Sequence, residues 1–421
     1  MLSTFCRFDR LSGYLRLSTC VLYFPHMLFF VLGTNPRLSK AEIFAVLGKK
    51  VDLVLDAPDV LVVDAEQENP SDLQHRLGGT IKVGHILAEL PNWNLEEAEK
   101  LLFPQLDEVS MDGKLTFGIS VYEGLGAKMA GRIRPQVKRL GIALKKQLKE
   151  GGKSVRFVTS QEPTLSSVVV SKNHLLESGG EFVILPASGK LLIGKTEASQ
   201  NFESWSARDY GRPARDAKSG MLPPKLARIM LNLSAVNPAE STVLDPFCGS
   251  GTVLMEAQLL GFKRIIGSDL SQKALSDTEK NLTWLSKKFD LPDADISLYT
   301  SAAEKLGEQV EGGVDVIVTE TFLGTPRTGR ETEQELQKRI LELTKLYETS
   351  FTSLFHLMNP GARAVIAFPA FVTQKKDLLL PIEDKLKTIG FHQTDRFLYK
   401  RSGQLVARDI IVLQKGQYTR G

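Results

Sequence analysis

The residues of this chain best suited to chemistry are the aspartates and glycines between positions 242 and 269. Thr242–Leu244 is a short β-branched run typical of a buried strand, and Asp245 follows it directly. The next apolar residues have helical spacing: Val253, Leu254, Ala257 and Leu260. Gly249 and Gly251 therefore lie in a loop that joins a strand to a helix. Because glycine has no Cβ, such a loop lets a ligand lie directly against the backbone.

A second acid stands at the end of the next strand-like segment. Asp269 follows the run Arg264–Gly267, and a carboxylate there is suited to accept hydrogen bonds from both hydroxyls of a ribose. A dinucleotide site would need a third glycine where Leu254 stands, and a phosphate-binding loop would need a lysine after its last glycine. The pattern favours a nucleoside cofactor that is neither a dinucleotide nor ATP. The alternative is a glycine turn that binds no ligand.

The segment Asp245–Thr252 resembles motif I of the class I amino methyltransferases that modify RNA and DNA. The resemblance implies S-adenosylmethionine as cofactor, bound by Asp245, Phe247, Gly249, Gly251, Thr252, Asp269 and Leu270. Arg208–Pro213 and Gly220–Ala227 resemble the beginning of the catalytic domain in archaeal-type tRNA (guanosine-10 N2) methyltransferases. That likeness adds Pro224, which starts a helix at the methionine end of the cofactor.

The second candidate site is the segment where this family places the groups that hold the substrate amine. Amino methyltransferases carry Asp, Asn or Ser before Pro-Pro-Tyr/Phe at the end of the fourth strand, and this chain reads Thr319-Glu320-Thr321-Phe322. By the resemblance, Phe322 stacks on a flipped base. Either the Thr319 hydroxyl or the Glu320 carboxylate accepts an amino hydrogen. Both prolines are missing, and Ala302 stands where the family has an acid for the adenine amino group.

A basic helix is predicted in the N-terminal half of the chain. Residues 128–156 hold ten basic side chains and one acid, Glu150. The apolar residues there have helical spacing: Val137, Leu140, Leu144 and Leu148. A stripe of one charge sign favours phosphate binding, and the alternative is a solvated helix face. The predicted RNA-binding residues are Lys138, Arg139, Lys145, Lys146, Arg156 and Lys172.

The same region resembles a THUMP domain, a small RNA-binding module that precedes the catalytic domain in several tRNA-modifying enzymes. The likeness rests on Ser154–Val158, Leu165–Asn173 and Ile193–Thr196. It implies that tRNA is the partner and that this module binds the acceptor end of the tRNA.

Length and composition predict two or three domains. The chain has 421 residues and a formal charge of +4, so a nucleic-acid surface would be local. Three scattered cysteines favour a reducing, cytoplasmic location, and we expect neither a metal site nor a membrane span. The predicted divisions are an N-terminal extension (1–26), an α+β ferredoxin-like module (27–93), a THUMP-like domain (94–205) and a methyltransferase domain (206–421), in which 206–233 form a linker and first helix.

The order of predicted elements is that of an α/β chain whose C-terminal domain is a class I, Rossmann-like, seven-stranded domain. Phe391–Tyr399 and Leu405–Leu413 form a predicted hairpin that places an antiparallel seventh strand in the sheet. Ser39 and Glu42 have the spacing of a capping box before a helix over 41–47. Ser167–Val170 is predicted as a strand.

Three functions agree with these patterns. The first is a tRNA guanosine N2-methyltransferase with a variant acceptor segment at Thr319–Phe322. The second is an amino methyltransferase of another RNA or of DNA. The third is a protein that binds S-adenosylmethionine or RNA without turnover.

Overall fold

The computed structural model describes residues 26–48, 51–65, 68–110, 113–215 and 221–416. The predicted extension over 1–26 lies outside these ranges except for His26. The described residues form two compact units. The first comprises the described residues through Lys40 together with Leu47–Phe202, and the second comprises Ala41–Val46 and the described residues from Glu203 onward.

The N-terminal half of the chain alternates strands with helices. Its strands are β1 (Met27–Leu32), β2 (Asp52–Asp56), β3 (Val60–Asp64), β4 (Thr80–Leu90), β5 (Leu115–Val121), β6 (Val155–Val158), β7 (Gly180–Ala187) and β8 (Lys190–Ser199). Its helices are α1 (Pro36–Leu47), α2 (Pro70–Arg76), α3 (Leu95–Asp107), α4 (Ala127–Glu150) and α5 (Ser167–Lys172).

One sheet runs through the first unit, with the strand order β2-β3-β1-β4-β8-β7-β5-β6. β4 pairs antiparallel with both β1 and β8, so the sheet continues across the predicted boundary at residues 93 and 94. Helix α4 buries Leu140, Leu144 and Leu148 in a core shared with Phe117 of β5 and Phe182 of β7. The apolar face predicted for this helix is therefore the face that packs on the sheet.

Two local predictions in this unit are wrong. Residues 167–170 are helical in α5, because Ser166 caps the segment by accepting a hydrogen bond from the Val169 amide at 3.3 Å. β-branched residues alone favoured a strand there, and the cap decides against it. Helix α1 begins at Pro36, so Ser39 lies inside it and donates its hydroxyl to the Gly79 carbonyl at 2.8 Å.

The described residues 221–416 contribute another seven strands. They are β9 (Thr242–Asp245), β10 (Arg264–Asp269), β11 (Asp295–Thr300), β12 (Val314–Glu320), β13 (Met358–Phe371), β14 (Phe391–Tyr399) and β15 (Val406–Lys415). The helices are α6 (Phe202–Asp209), α7 (Pro224–Leu233), α8 (Thr252–Leu260), α9 (Gln272–Phe289), α10 (Glu333–Leu357) and α11 (Glu383–Ile389), with short 3-10 helices at Pro238–Glu240 and Ala303–Glu308.

These strands form the sheet of the second unit in the order β11-β10-β9-β12-β13-β15-β14. β9 pairs in parallel with β10 and β12, whereas β15 runs antiparallel between β13 and β14. The predicted hairpin and its antiparallel strand are confirmed. Helix α10 covers the sheet with Tyr347 and Phe351, whose rings lie 5.3 and 5.8 Å from the Phe368 ring of β13.

Candidate active site

A cavity of about 1070 Å³ lies in the second unit, lined by the last residues of three neighbouring parallel strands. Asp245 ends β9, Asp269 ends β10 and Glu320 ends β12. The chain leaves β9 toward β10 on one side and reaches β12 on the other, so β9 is where the strand order reverses. A crevice at the carboxyl ends of strands on either side of such a reversal is the usual ligand site of an open α/β sheet.

The loop between β9 and α8 has the backbone freedom that its glycines predict. Gly249 has a φ of +52° and Gly251 a φ of +81°. A Cβ at Gly251 would lie 2.8 Å from the Thr278 side chain, so this glycine packs the loop against α9. A Cβ at Gly249 would meet no protein atom within 4 Å, and Gly249 lines the cavity. The backbone at Gly249 is thus open to a ligand.

Asp269 holds this loop and also faces the cavity. Its Oδ2 accepts a hydrogen bond from the Gly249 amide at 3.1 Å, and its Oδ1 accepts one from the Ser271 amide at 2.8 Å. An ionised carboxylate has about four acceptor positions, so both oxygens keep a lone pair for a ligand. The side chain can anchor the loop and accept two hydroxyl hydrogens simultaneously.

Asp245 is almost completely buried beneath the loop. Its Oδ1 accepts hydrogen bonds from the Phe247 amide at 3.1 Å and from the Thr319 hydroxyl at 2.6 Å. Burial raises the pKa of Asp245 to about 7, although both hydrogen bonds act against this rise. Thr319 is fully buried and is absent from the cavity wall. Its hydroxyl therefore connects β12 to β9.

Glu320, the next residue, does line the cavity. Its Oε1 accepts a hydrogen bond from Nε of Arg408 on β15 at 2.5 Å. The Arg408 side chain is 5% exposed and the Glu320 side chain 14% exposed. Burial raises the pKa of Glu320, and the Arg408 guanidinium opposes that rise. The cavity thus carries a carboxylate paired with a buried cation.

Phe322 presents its ring at the cavity with 54% of the residue exposed. The Tyr347 hydroxyl of α10 donates a hydrogen bond to the Phe322 carbonyl, which fixes the backbone beneath the ring. Leu270, 75% exposed, also lines the cavity, near Asp269. Two apolar side chains open to solvent on a cavity wall suit the flat faces of aromatic ligands.

The predicted proline start of α7 is confirmed, since Pro224 is its first residue. Pro224 is buried and does not line the cavity, whereas Met221 and Leu222 just before it do. Thr252 lines the cavity and accepts a hydrogen bond from buried Arg212 at 2.7 Å.

The structure brings eight of the predicted site residues to one cavity: Asp245, Phe247, Gly249, Thr252, Asp269, Leu270, Glu320 and Phe322. Gly251, Pro224 and Thr319 do not line it. Sequence reasoning missed the contributions of Met221, Ser301, Glu304, Gln404 and Arg408 to the lining. Glu304 places a carboxylate close to the Ala302 position. No regular spacing relates Glu304 to the two motifs, so the sequence alone did not mark it as a site residue.

The predicted RNA-binding residues belong to the first unit. Lys138, Arg139 and Lys146 are exposed on α4, and Lys145 is half-buried beside them. Arg156 lies exposed on the edge strand β6, and Lys172 lies exposed at the end of α5. Lys146 has a loose contact with Glu150 at 3.8 Å, which leaves most of this positive charge to solvent.

Within the described ranges, no three or more His, Cys, Asp and Glu side chains are grouped so as to hold a metal ion. In the same parts of the chain, no helix has the length and hydropathy needed to cross a membrane.

Residues 212–378 match the family model described as RMKL-like, methyltransferase domain. The tRNA (guanine(10)-N2)-dimethyltransferase of Methanothermobacter thermautotrophicus is 35% identical over 137 residues, which are 32% of this chain and 37% of that protein. The protein of the same name from Pyrococcus abyssi is 31% identical over 208 residues, 49% of this chain and 52% of that one. The chain spans about half or less of the length of these curated relatives.

The solved structure of TrmN from Thermus thermophilus is similar with a TM-score of 0.53 at 18% identity, covering 93% of this chain and 100% of that chain. This likeness concerns the fold. Together with the matched domain, it shows that the second unit has the Rossmann-like methyltransferase fold expected from the sequence.

Proposed function

We propose that this chain is an S-adenosylmethionine-dependent methyltransferase that modifies the exocyclic N2 amino group of a guanosine in tRNA. The observation that carries the proposal is the composition of one cavity. A glycine loop and Asp269 line one part of it, and Glu320 and Phe322 line another. A nucleoside cofactor and a flipped base would therefore meet in the same space.

The residues present fit S-adenosylmethionine. Asp269 keeps two acceptor positions for the ribose hydroxyls, and the open backbone at Gly249 leaves room for the cofactor against the loop. Glu304 is exposed at the cavity and supplies an acceptor for the adenine amino group. When bound, the cofactor supplies a methyl group that the amino nitrogen takes with its lone pair, while the electrons of the broken carbon–sulfur bond stay on sulfur.

The protein's part is to hold the amino group and exclude water. The nitrogen lone pair of an aromatic amine is delocalised into the base, so the amine reacts only when it is oriented toward the methyl group. Glu320 accepts an amino hydrogen, and the Phe322 ring stacks on the base. Once methylated, the nitrogen is cationic and acidic, so it loses a proton without a dedicated base of matched pKa.

A tRNA substrate is supported by the two relatives whose names state that they dimethylate guanine 10 of tRNA. The one-signed surface of α4 supports it independently, because a row of lysines and arginines binds phosphates. We include in the proposal that the first unit acts as a THUMP domain on the acceptor end of tRNA. We also propose a cytoplasmic location, because the chain has few cysteines.

The test is methyl transfer from labelled S-adenosylmethionine to unmodified tRNA, followed by mass spectrometry of the nucleosides. We expect labelled N2-methylguanosine or its dimethyl form. Phe322→Ala should reduce kcat about tenfold or more, because stacking on a base contributes about 1–3 kcal/mol. Phe322→Tyr keeps the ring and should keep most of the activity. Asp269→Asn in the same assay should raise KM for the cofactor.

Label on adenosine or on DNA would instead support another amino methyltransferase. Cofactor binding without transfer to any nucleic acid would support the third function, a protein that binds without turnover. Since Phe322 is more than half exposed, both substitutions at this position should leave the unfolding temperature nearly unchanged, which separates a catalytic loss from misfolding.

A further inference from the structure

The acceptor carboxylate of this site is displaced by one residue along β12 relative to the family pattern. Successive side chains of a strand point to opposite faces. Thr319, which aligns with the family's acid, lies in the core and donates to Asp245. Glu320 lies in the cavity wall instead. The Glu320 side chain is only 14% exposed, so its carboxylate needs a partner of opposite charge.

Arg408 is placed to give that support from a distant part of the chain. It lies on β15, two strands away from β12 in the sheet, with β13 between them. Its Nε donates to Oε1 of Glu320 at 2.5 Å, and both side chains line the cavity. Among the residues that the structure describes, no group donates a hydrogen bond to Oε2 of Glu320. One carboxylate oxygen is therefore held, and the other is available.

We propose that Arg408 is a positioning residue for methyl transfer, which holds Glu320 ionised and oriented so that Oε2 accepts a hydrogen of the substrate amine. The inference rests on the proposed function and identifies the element that makes the variant acceptor segment usable. It also implies that the substrate is an amine with a hydrogen to donate, since an ionised carboxylate only accepts hydrogen bonds.

The charges around Glu320 explain why it requires a cation. In the part of the chain that the structure describes, Asp245 on β9 and the Tyr347 hydroxyl on α10 also interact with it. Asp245 bears a negative charge when ionised, and Tyr347 is neutral at ordinary pH because burial raises its pKa. Arg408 on β15 is the group that lowers the pKa of Glu320 against the effect of burial. Without it, a buried acid would retain its proton to higher pH.

The first readout is the pH profile of kcat. Arg408→Gln should reduce kcat at pH 7 about tenfold to a hundredfold, the effect of losing one hydrogen bond between charged groups. Because Glu320 must be ionised, the acidic limb of the profile should move to higher pH. Arg408→Lys keeps a cation. It should therefore restore part of kcat and return the acidic limb of the profile part of the way to its wild-type pH. KM for the cofactor should change little.

The second readout needs no cofactor. A carboxyl whose folded pKa is raised destabilises the protein as pH rises from its unfolded pKa through its folded pKa. Arg408→Gln should therefore lose stability toward urea between pH 5 and pH 8 more steeply than the wild type. The double variant Glu320→Gln/Arg408→Gln contains no buried charge at this place, so it should lose that extra pH dependence.

Arg396→Gln is the matched control. Arg396 on β14 donates to both carboxylate oxygens of Asp409 on β15, at 2.8 and 2.6 Å, next to Arg408 but not in the cavity wall. It also forms an ion pair with Glu383 of α11, so this variant breaks the pair on the hairpin and that second contact. It should reduce stability and leave the acidic limb of the kcat profile where it is in the wild type.

The outcomes separate the two proposals. If wild-type protein transfers methyl and Arg408→Gln keeps the wild-type rate and profile, Arg408 is no positioning residue although the proposed function stands. Rate losses of Glu320→Gln and Arg408→Gln that multiply in the double variant would also overturn it, since residues acting as a unit do not add independently. Absence of transfer by the wild type, with cofactor bound, would overturn the proposed function and the role of Arg408 with it.

Discussion

Asp245 illustrates how much a single buried residue contributes at this site. It ends β9 and accepts two hydrogen bonds, one from the Phe247 amide of the loop and one from the Thr319 hydroxyl of the neighbouring strand β12. The residue is almost completely buried. The residue therefore organises the start of the loop through its hydrogen bonds, and its negative charge is costly because no cation is hydrogen-bonded to it among the described residues.

This arrangement predicts a pH-dependent stability. The pKa of Asp245 is about 7 in the folded protein, above its ordinary value of 3.8. A raised carboxyl pKa means that the folded state binds the proton more tightly, so the contribution of Asp245 to stability falls as pH rises from about 4 to about 7. Asp245→Asn keeps an acceptor oxygen for both donors and cannot ionise. We expect the variant to gain stability relative to the wild type across this range.

Urea unfolding of both proteins without cofactor, at intervals from pH 4 to pH 8, measures the difference. Asp295→Asn serves as the control, because this carboxylate at the start of β11 is 63% exposed in its side chain. Parallel curves for the wild type and Asp245→Asn would contradict the assignment of a raised pKa.

At the scale of elements, helix α4 depends on one close contact with the edge of the sheet. Gly141 faces Phe157 of β6, and a Cβ at this glycine would lie 2.3 Å from the ring. The Phe157 ring in turn lies 5.1 Å from the Phe117 ring of β5. Glycine at 141 thus lets the helix approach the strand closely enough to pack against this aromatic pair.

Two glycines of this helix give an internal comparison. Gly141→Ala should destabilise the protein by about 1–3 kcal/mol, because the ring must move in a packed core. Gly131→Ala should stabilise it by up to about 1 kcal/mol, since alanine is the better helix former and a Cβ there meets nothing within 4 Å. Chemical denaturation gives both values. If Gly141→Ala stabilised the protein as Gly131→Ala should, close packing at Gly141 would not matter.

Most elements follow from periodicity, whereas a short segment can depend on a single helix cap. The apolar face of α4 and the terminal hairpin were predictable, because long amphipathic segments and paired runs carry their own pattern. Ser167–Val170 is helical although a strand is predicted there, because four residues are too few to show a period and a single serine cap determines the outcome.

For the whole molecule, the proposed function divides the work between two units. The basic residues of α4 lie in the first unit, and the cavity lies in the second. Binding to phosphates and transfer of methyl should therefore respond to different substitutions. Electrostatic binding to phosphates also depends on salt, whereas chemistry inside a cavity depends on it much less.

Replacing Lys138, Lys145 and Lys146 together by alanine should raise KM for tRNA and leave kcat and cofactor affinity close to wild type. Affinity for tRNA should also depend less steeply on salt. The negative slope of log affinity against log salt should shrink in magnitude by about 2–3, because each lysine that neutralises a phosphate releases roughly one bound counterion. The control replaces three lysines of α9: Lys280, Lys287 and Lys288. It has the same change of net charge. Equal effects of both triple variants would mean that overall charge, and not the α4 surface, binds the RNA.

The chain's local sequence determined the glycine loop after β9, the acid at the end of β10, the aromatic at 322 and the terminal hairpin. These features depend on backbone conformation and on periods of two or 3.6 residues, which neighbouring residues set. The tertiary structure alone decided that Glu320, and not Thr319, faces the cavity. Thr319 turns inward to Asp245, and Glu320 meets Arg408 from 88 positions further along the chain. Strand order and register create that contact, and neither is encoded in the spacing of a single motif.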